Sequence, residues 1–572
     1  METQAIPHQL YFENGWYPSQ SPFEGIPNSV LLAQNVWLRG PRRLVSDRGA
    51  LAVSSVAQAV HDLMSVGGQP GGCTTSGNVT LHASVPWAAG SGNAIQGSTV
   101  LGALTGNLML YIAGAQPPFV NAGLNRPNAP GLTVSSMVSS KWSGSYSVAV
   151  AAYRSTTGAI GNRSDPSPVV AANGFKGQIT FPALVAGQTH WLIYGSRRGF
   201  GSVGPYFRVT GANFGLTTFP VSQFQQGSTA PIDYFDGELG DLAPTNNDPP
   251  PACTHCAGLG SVMCALGTFG GYGITPSQPG FPEAYDLTQT TFLAAREPIT
   301  GVTGRGIDGV VYVATANSLS AIVLSGSDVT PVLPRGIWES VGFAHGNAFC
   351  LVEDQIYGFS GEAVRTQGGE APDTSFALPV YNYFYSNGWT SANTVVVYDP
   401  GLDAVLYCGS DLVLGPVAVP YMRASGTWSG PIVAPNPITA GVTLNGRAAL
   451  QIGASLYNLD SAGGNPTGGV WSIQTPYYGG PMGYIHEGYA QHIKTLRYLR
   501  ANASGPCTID MLKNLGGSVG GKFPYSHPGG IGGQVVKFNQ RVHNYAMKVS
   551  GSLGGQSFYG AEMEMLVEPG NY

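Results

Sequence analysis

The densest grouping of metal-ligating side chains is Cys253-Thr254-His255-Cys256, with Cys264 eight residues further on. A structural zinc site takes four nitrogen or sulfur ligands in a tetrahedral array, and a Cys-x-x-Cys spacing with a third cysteine supplies three or four of them. No second Cys-x-x-Cys follows, and Ser261-Val-Met-Cys-Ala-Leu266 reads as a buried strand. The expectation is therefore reduced thiols in the core or linker, with no metal and no cofactor. The remaining cysteines, 73, 350, 408 and 507, are scattered, and a total of seven fits free thiols better than a disulfide framework.

Other strings carry weaker chemistry. His486-Glu487-Gly-Tyr-Ala-Gln-His492 has the residue types of a zinc protease, but its histidines are six apart beside a glycine. That motif needs them four apart on one helix face. Gly304-Arg-Gly306-Ile-Asp-Gly309 spells a dinucleotide fingerprint, yet it precedes a strand and offers no helix N-terminus to a pyrophosphate. Asp308, Asp328, Asp354, Asp399 and Asp403 are the carboxylates a glycosidase reading would draw on. Most sit beside glycine or in turns, where an aspartate caps backbone N–H groups, and no sialidase-type Ser-x-Asp-x-Gly repeat is present. No catalytic residue is expected. Trp16-Tyr17, Trp338, Tyr381-Asn-Tyr-Phe-Tyr385 and Tyr477-Tyr478 are where surface rings could stack on sugars, although core burial is the ordinary fate of aromatics in a β protein.

The elements that must position these residues follow from composition. Among 572 residues are 82 Gly and 42 Pro, yet 43% are hydrophobic and only 10% charged. Interior glycine costs a helix about 1 kcal/mol and proline about 3, so long helices are disfavoured. Short strands joined by tight turns remain, with glycine supplying positive φ and proline pre-setting the turn. Net charge is −5, and the densest cationic clusters, Arg39-Gly-Pro-Arg42-Arg43 and Arg197-Arg198, read as solvated turn charges, too short for a nucleic-acid grip. The N-terminus has neither a basic nor an apolar signal-like region, and no apolar run approaches about 18 residues. A protein folding in a cytoplasm, with no membrane-spanning segment, is expected.

The order of elements suggests five regions. Residues 1–24 form an N-terminal arm. Residues 25–135 carry short apolar runs broken by Gly/Ser/Asn/Pro clusters, the first part of a β-propeller or platform. Across 140–245 the alternation Tyr146, Val148, Val150, Ala152 and the Asp165-Pro-Ser-Pro168 corner resemble a fibronectin III or immunoglobulin-like sandwich. Asn246-Asn-Asp-Pro-Pro-Pro251 reads as a stiff linker. Within 250–470 a strand-turn-strand unit recurs four times at spacings of roughly 35 to 55 residues, as propeller blades do. Residues 471–572 read as a C-terminal sandwich-like layer, in which Met563, Met565 and Val567 face one way and Glu562 and Glu564 the other. The fold class is all-β.

With these elements in place, the run Pro22-Phe-Glu-Gly-Ile-Pro-Asn-Ser-Val-Leu-Leu-Ala-Gln34-Asn35-Val-Trp-Leu, followed by Leu44-Val-Ser-Asp-Arg48-Gly49, resembles the opening of the tail nozzle (tail hub) proteins of short-tailed bacteriophages. So do Tyr146-Ser-Val-Ala-Val, Gly161-Asn-Arg-Ser164-Asp-Pro-Ser167 and Ile193-Tyr-Gly-Ser-Arg197 in the insert. Pro249-Pro-Pro251, Tyr545-Ala-Met-Lys-Val-Ser-Gly551 and Ser557-Phe-Tyr-Gly560 complete the series, which runs in order over nearly the whole chain. The resemblance implies a non-enzymatic virion protein of the tail, made in the host cytoplasm. It implies a closed ring of six copies below the portal and adaptor, with tail fibre, spike or plug proteins as further partners. Genomic DNA would pass through its lumen without tight binding. The competing expectation is a receptor- or glycan-binding tail fibre or adhesin-like module, resting on the aromatics named above.

Overall fold

Alternating apolar residues and closely spaced glycines build strands almost everywhere, and the one α-helix among the described residues is Tyr381–Ser386. The computed structural model describes residues 4–10, 12, 14–18, 29–39, 43–55, 60–66, 69–74, 79–81, 96–101, 108–113, 123–156, 158–200, 204–210, 218–259, 262–279, 281–303, 310–324, 332–367, 372–461, 470–475, 494–513, 522–542, 545–552 and 554–567. The fold is all-β, as expected. Two compact units are present, one of residues 1–75, 316–318 and 337–572, the other of 76–315 and 319–336. No helix among the described residues is long and apolar enough to cross a membrane.

Between His255 and Asn458, strands pair in chain order as antiparallel meanders of the propeller-blade type. The second unit holds His255–Leu259, Val262–Thr268, Gly273–Gln278 and Phe281–Tyr285, then Gly301–Thr303, Val310–Ala314 and Leu319–Leu324. The first unit holds Phe349–Val352, Gln355–Phe359 and Ala363–Gln367, then Val395–Asp399, Ala404–Asp411, Gly415–Met422 and Thr427–Trp428. Its last blade, Ile438–Leu444, Arg447–Ile452 and Ser455–Asn458, takes a fourth strand from Leu51–Ser55, some 400 positions earlier in the chain. The turn between Leu444 and Arg447 is Asn445-Gly446, both at positive φ (49° and 76°), the pairing that a two-residue hairpin of matching twist demands.

The inserted sandwich lies in the second unit. One sheet is Gly131–Tyr146, Val170–Thr180 and Thr229–Ile232. The other runs Ala159–Ile160, Val148–Arg154, His190–Ser196, Tyr206–Val209 and Leu239–Leu242, with Phe219–Pro220 beside His190–Ser196. The insert thus begins at Gly131, earlier than the expected 140. Between the sheets Trp142 stacks on Tyr146, with centroids 4.5 Å apart and planes 3° from parallel, and meets Tyr234 edge-on. A Cβ on Gly177 would lie 2.3 Å from the Trp142 ring, so only glycine fits there. The Asp165-Pro-Ser-Pro168 corner stands in for a strand: Ser164 Oγ accepts from Val150 N and Ser167 Oγ from Val148 N, each at 3.0 Å. The expected linker is bolted to this domain. Asn247 N donates to Asn162 Oδ1, and Asn162 Nδ2 to Asp248 Oδ1, both at 2.6 Å.

The C-terminal layer corrects one expectation. Residues 25–49 are expected to open the propeller, but their described strands belong to this layer. Val36–Leu38 and Leu44–Ser46 join Lys494–Ala503, Gly530–Val542 and Ser557–Val567 in one sheet, which Gln4–Leu10 extends. Leu32–Gln34 joins Val470–Gln474, Tyr545–Ser552, Cys507–Lys513 and Lys522–His527 in the other. Val36, Trp37 and Leu38 are all buried, so this strand needs cover on both faces, which the C-terminal strands and the blade core supply.

Candidate functional site: the joint between the chain ends

The Cys/His group does not converge. Cys256 stands opposite Ala265 and Ala257 opposite Cys264 in the ladder, and neighbouring residues of a strand point to opposite faces. Cys253 and Cys256 therefore pack with Met263, Ala265 and Tyr285, whereas Cys264 packs on the other face with Ala257, Leu259 and Val262. His255 lies 2.9 Å through Nδ1 from Thr254 Oγ1. Burial pushes the Cys253 and Cys264 thiols up to about 12, so both are protonated at neutral pH and inert as nucleophiles.

Of the carboxylates singled out above, Asp354, Asp399 and Asp403 sit at blade turns. Asp399 is buried and receives Arg447 Nε at 2.9 and 3.1 Å on its two oxygens and Leu402 N at 3.1 Å. Burial pushes its pKa up, and the Arg447 charge opposes that. Asp403 accepts from Tyr398 Oη (3.1 Å) and Arg423 Nη1 (3.0 Å), and Arg423 also reaches Glu353 at 2.8 Å. These contacts tie the turns of three successive blades, which is a mechanical role. Asp354 is exposed on its turn. Asp308, Asp328, Gly304 to Gly309, Tyr477, Tyr478 and His486 to His492 lie outside the described residues. Of the aromatics, Trp16, Trp338 and Phe384 are buried, and Trp16 meets Tyr383 edge-on at 4.8 Å. Tyr381 and Tyr385 are exposed, with planes 11° from parallel and centroids 6.3 Å apart.

The most elaborate polar cluster is one that composition did not single out. Asn35 adopts φ +54°, accepts from Val433 N at 2.8 Å and donates to Val470 O at 3.4 Å. Trp37 Nε1 donates to Asp47 Oδ1 (2.9 Å), and Gly49 N to Asp47 Oδ2 (3.2 Å). Burial pushes the Asp47 carboxyl up to about 6; Trp37 holds it down, and the nearby Asp460 charge pushes it up further. Asp460, itself buried, receives Arg48 through N and Nε at 3.1 Å each, and Arg39 as well. Ladder pairs Leu44 with Phe558 and Val45 with Ser557 lie alongside. Arg43 donates twice to Ser557 Oγ, and Ser46 Oγ accepts from Gln556 N at 2.8 Å. Arg39 is thus not a solvated turn charge, because the buried Asp460 carboxylate draws it in, whereas Arg43 stays exposed at the turn as expected; each lies 5.7 Å from a ring, Trp37 and Tyr559 respectively. The local signal was a run of arginines between two short buried strands, which gives no hint of a partner at position 460 or 557.

No family model matches the chain, and no curated protein does. Among solved structures, that of U3-55K is 6% identical with a TM-score of 0.30, covering 72% of this chain and 98% of that one. The RRP9 WD40 repeats give 6%, 0.30, 73% and 99%. An exo-β-1,3-galactanase from Phanerochaete chrysosporium gives 9% and 0.17, covering 76% of this chain and all of that one.

Proposed function

We propose that the chain is a structural, non-enzymatic virion protein that forms the nozzle ring below the portal and adaptor of a short bacteriophage tail, a conduit for genome ejection. The observation that carries this reading is the ordered motif series from Ala33-Gln34-Asn35-Val36 and Arg48-Gly49 to Ser557-Phe-Tyr-Gly560. Residues from its two ends are ladder neighbours, and Asn35, Asp47, Arg48 and Ser557 hold the chain ends together. A conduit also needs a restrained positive charge, because each lysine or arginine that neutralises a phosphate must let go again as DNA passes. Several arginines here are already spent on carboxylates, among them Arg39, Arg154, Arg365, Arg423 and Arg447.

Electron microscopy of the purified protein, alone and with a tail adaptor, tests the reading. Six-fold rings that dock on the adaptor are expected, and a monomer that never docks overturns it. A DNA filter-binding titration at about 50 and 200 mM salt should give weak binding with a shallow salt slope. Sub-micromolar affinity with a steep slope would instead indicate a DNA-gripping surface.

A further inference from the structure

The blade of residues 395–428 carries an apolar tip. In the turn between the strands Ala404–Asp411 and Gly415–Met422, Leu412 and Val413 stand 80% and 90% exposed, the two barest large apolar side chains among the described residues. The helical segment Ser375–Ser386 adds Leu378, Tyr381 and Tyr385, all exposed and spaced by three and four residues, so that they share one face. Two hydrogen bonds set the end of that helix beside the turn. Leu412 N donates to Asn387 Oδ1 at 2.8 Å, and Trp389 Nε1 donates to Ser410 O at 2.7 Å.

The donors of this turn are satisfied from within. Val413 N (2.7 Å) and Leu414 N (2.8 Å) both donate to Asp411 Oδ1, so the three successive N–H groups of residues 412–414 all end on side-chain oxygens of the same chain. The helix end behind the turn is closed in the same way: Asn387 N donates to Tyr383 O, Gly388 N to Tyr385 O and Ser386 Oγ to Asn382 O. A turn that faces water can leave its N–H groups to solvent, whereas one that enters an apolar phase must satisfy them internally, because an orphan donor there is costly. Charge is withdrawn from the surface as well. Residues 366–422 contain no Lys or Arg, and of their described acids Asp373, Asp399 and Asp403 are paired with arginines, while Asp411 is buried and turned onto backbone N–H groups.

We infer that this tip inserts into a phospholipid surface, with Leu412 and Val413 entering the acyl boundary and Tyr381 and Tyr385 lying at the level of the headgroups. The chemistry of the patch follows the polarity of such a surface, since the barest residues are aliphatic and each tyrosine joins an apolar ring to a hydroxyl that the interface hydrates. A protein partner is selected by charge or by hydrogen bonds as well as by apolar area, and the turn offers neither a charge nor an uncommitted N–H. With no cation to hold an anionic headgroup, apolar area alone drives the contact, which is weak per copy and insensitive to salt. It is superficial and needs no membrane-spanning element. The inference does not rest on the nozzle reading, although a ring would multiply the contact.

Flotation of the full-length protein with phosphatidylcholine vesicles is the test. Wild type should float at millimolar lipid, equally at about 50 and 500 mM salt, and equally when phosphatidylserine replaces part of the lipid. Val413→Asp and Leu412→Asp should each bind phosphatidylcholine about 30-fold more weakly, the effect of losing the burial of one aliphatic side chain. Their melting temperatures should match wild type, because neither side chain is covered in the fold. Val413→Leu should bind at least as well as wild type, and Val138→Asp, at another exposed valine in the inserted sandwich, should leave binding unchanged. Wild type that fails to float at millimolar lipid, tip variants that float like wild type, or binding abolished by salt would each overturn the inference. Weakening by Val138→Asp as large as that by Val413→Asp would do so too, as the mark of general stickiness. So would tip variants that lose a tail adaptor or an oligosaccharide while wild type ignores vesicles. Six-fold rings that dock on an adaptor but bind no vesicles would overturn the lipid contact and leave the nozzle reading standing; vesicle binding by a protein that never forms rings would do the reverse.

Discussion

The inserted sandwich and the joint between the chain ends hold themselves together in opposite ways. The sandwich closes on local means: Trp142 stacks on Tyr146 four residues away, and Ser164 and Ser167 cap a strand fewer than twenty residues distant. The joint spans the whole chain. Arg48 reaches Asp460, Leu44 pairs with Phe558, and two buried carboxylates share one apolar region. Local contacts cost little loop-closure entropy, while the long-range joint must offset a large one and so recruits charge, hydrogen bonds and a buried tryptophan together. The lesson is that the more distant closure is also the one exposed to pH, because it buries the Asp47 carboxyl and raises it to about 6.

The largest effect should separate the two regions outright. Trp142→Ala removes the centre of the sandwich core and should cost about 4–5 kcal/mol. Hydrogen exchange measured by mass spectrometry should show protection lost across 131–242 and kept in strands 494–503 and 557–567. Loss in both regions at once would mean that the sandwich is not an independent folding unit.

Asp460→Ala should come next. It leaves Arg39 and Arg48 facing each other at a partly buried site, a destabilisation of about 3–4 kcal/mol. Here the loss of exchange protection should fall on 36–46, 51–55 and 557–567 and spare the sandwich. A change below about 0.5 kcal/mol by denaturant titration would show that the cluster is not what holds the ends.

The smallest of the three is a pH effect. The Asp47 carboxyl is raised in the fold from 3.8 to about 6, so the folded state binds its proton more tightly than the unfolded chain does. The stability it contributes is complete below about pH 4 and is lost as pH rises through about 6, a swing of about 2–3 kcal/mol at 1.36 kcal/mol per unit. Asp47→Asn, which keeps an acceptor for Trp37 Nε1, should flatten this part of the melting profile between pH 4 and 7. An unchanged profile would show that Asp47 is not buried as a carboxylate. The sandwich, monitored by exchange in 131–242, should show no matching step.

Much of the fold was legible from residues alone. Alternation placed Tyr146, Val148 and Val150 together on the face that joins the sandwich core, since period two follows from strand geometry, but Ala149 and Ala151 on the other face are buried as well. The blades were legible as repeats because each is a meander of neighbours in sequence, and Asn445-Gly446 announces its hairpin chemically. The candidate site was not legible. Arg39 reads as a turn charge because no local feature marks Asp460 as its partner, and the spacing of Cys253, His255, Cys256 and Cys264 does not by itself show which face of the sheet each side chain takes.

Composition and periodicity therefore determined the all-β class, the shortness of the one helix among the described residues and the inserted sandwich, all of which depend on residue chemistry and short-range geometry. Only the tertiary structure decided that Leu32–Gln34, Val36–Leu38 and Leu44–Ser46 complete the C-terminal layer, that Leu51–Ser55 completes the blade at 438–458, and that Asp47 and Asp460 lie beside each other near Arg39 and Arg48. Strand pairing between distant segments is chosen by which edges and apolar faces remain after local structure has formed, and that choice is not written in either segment by itself.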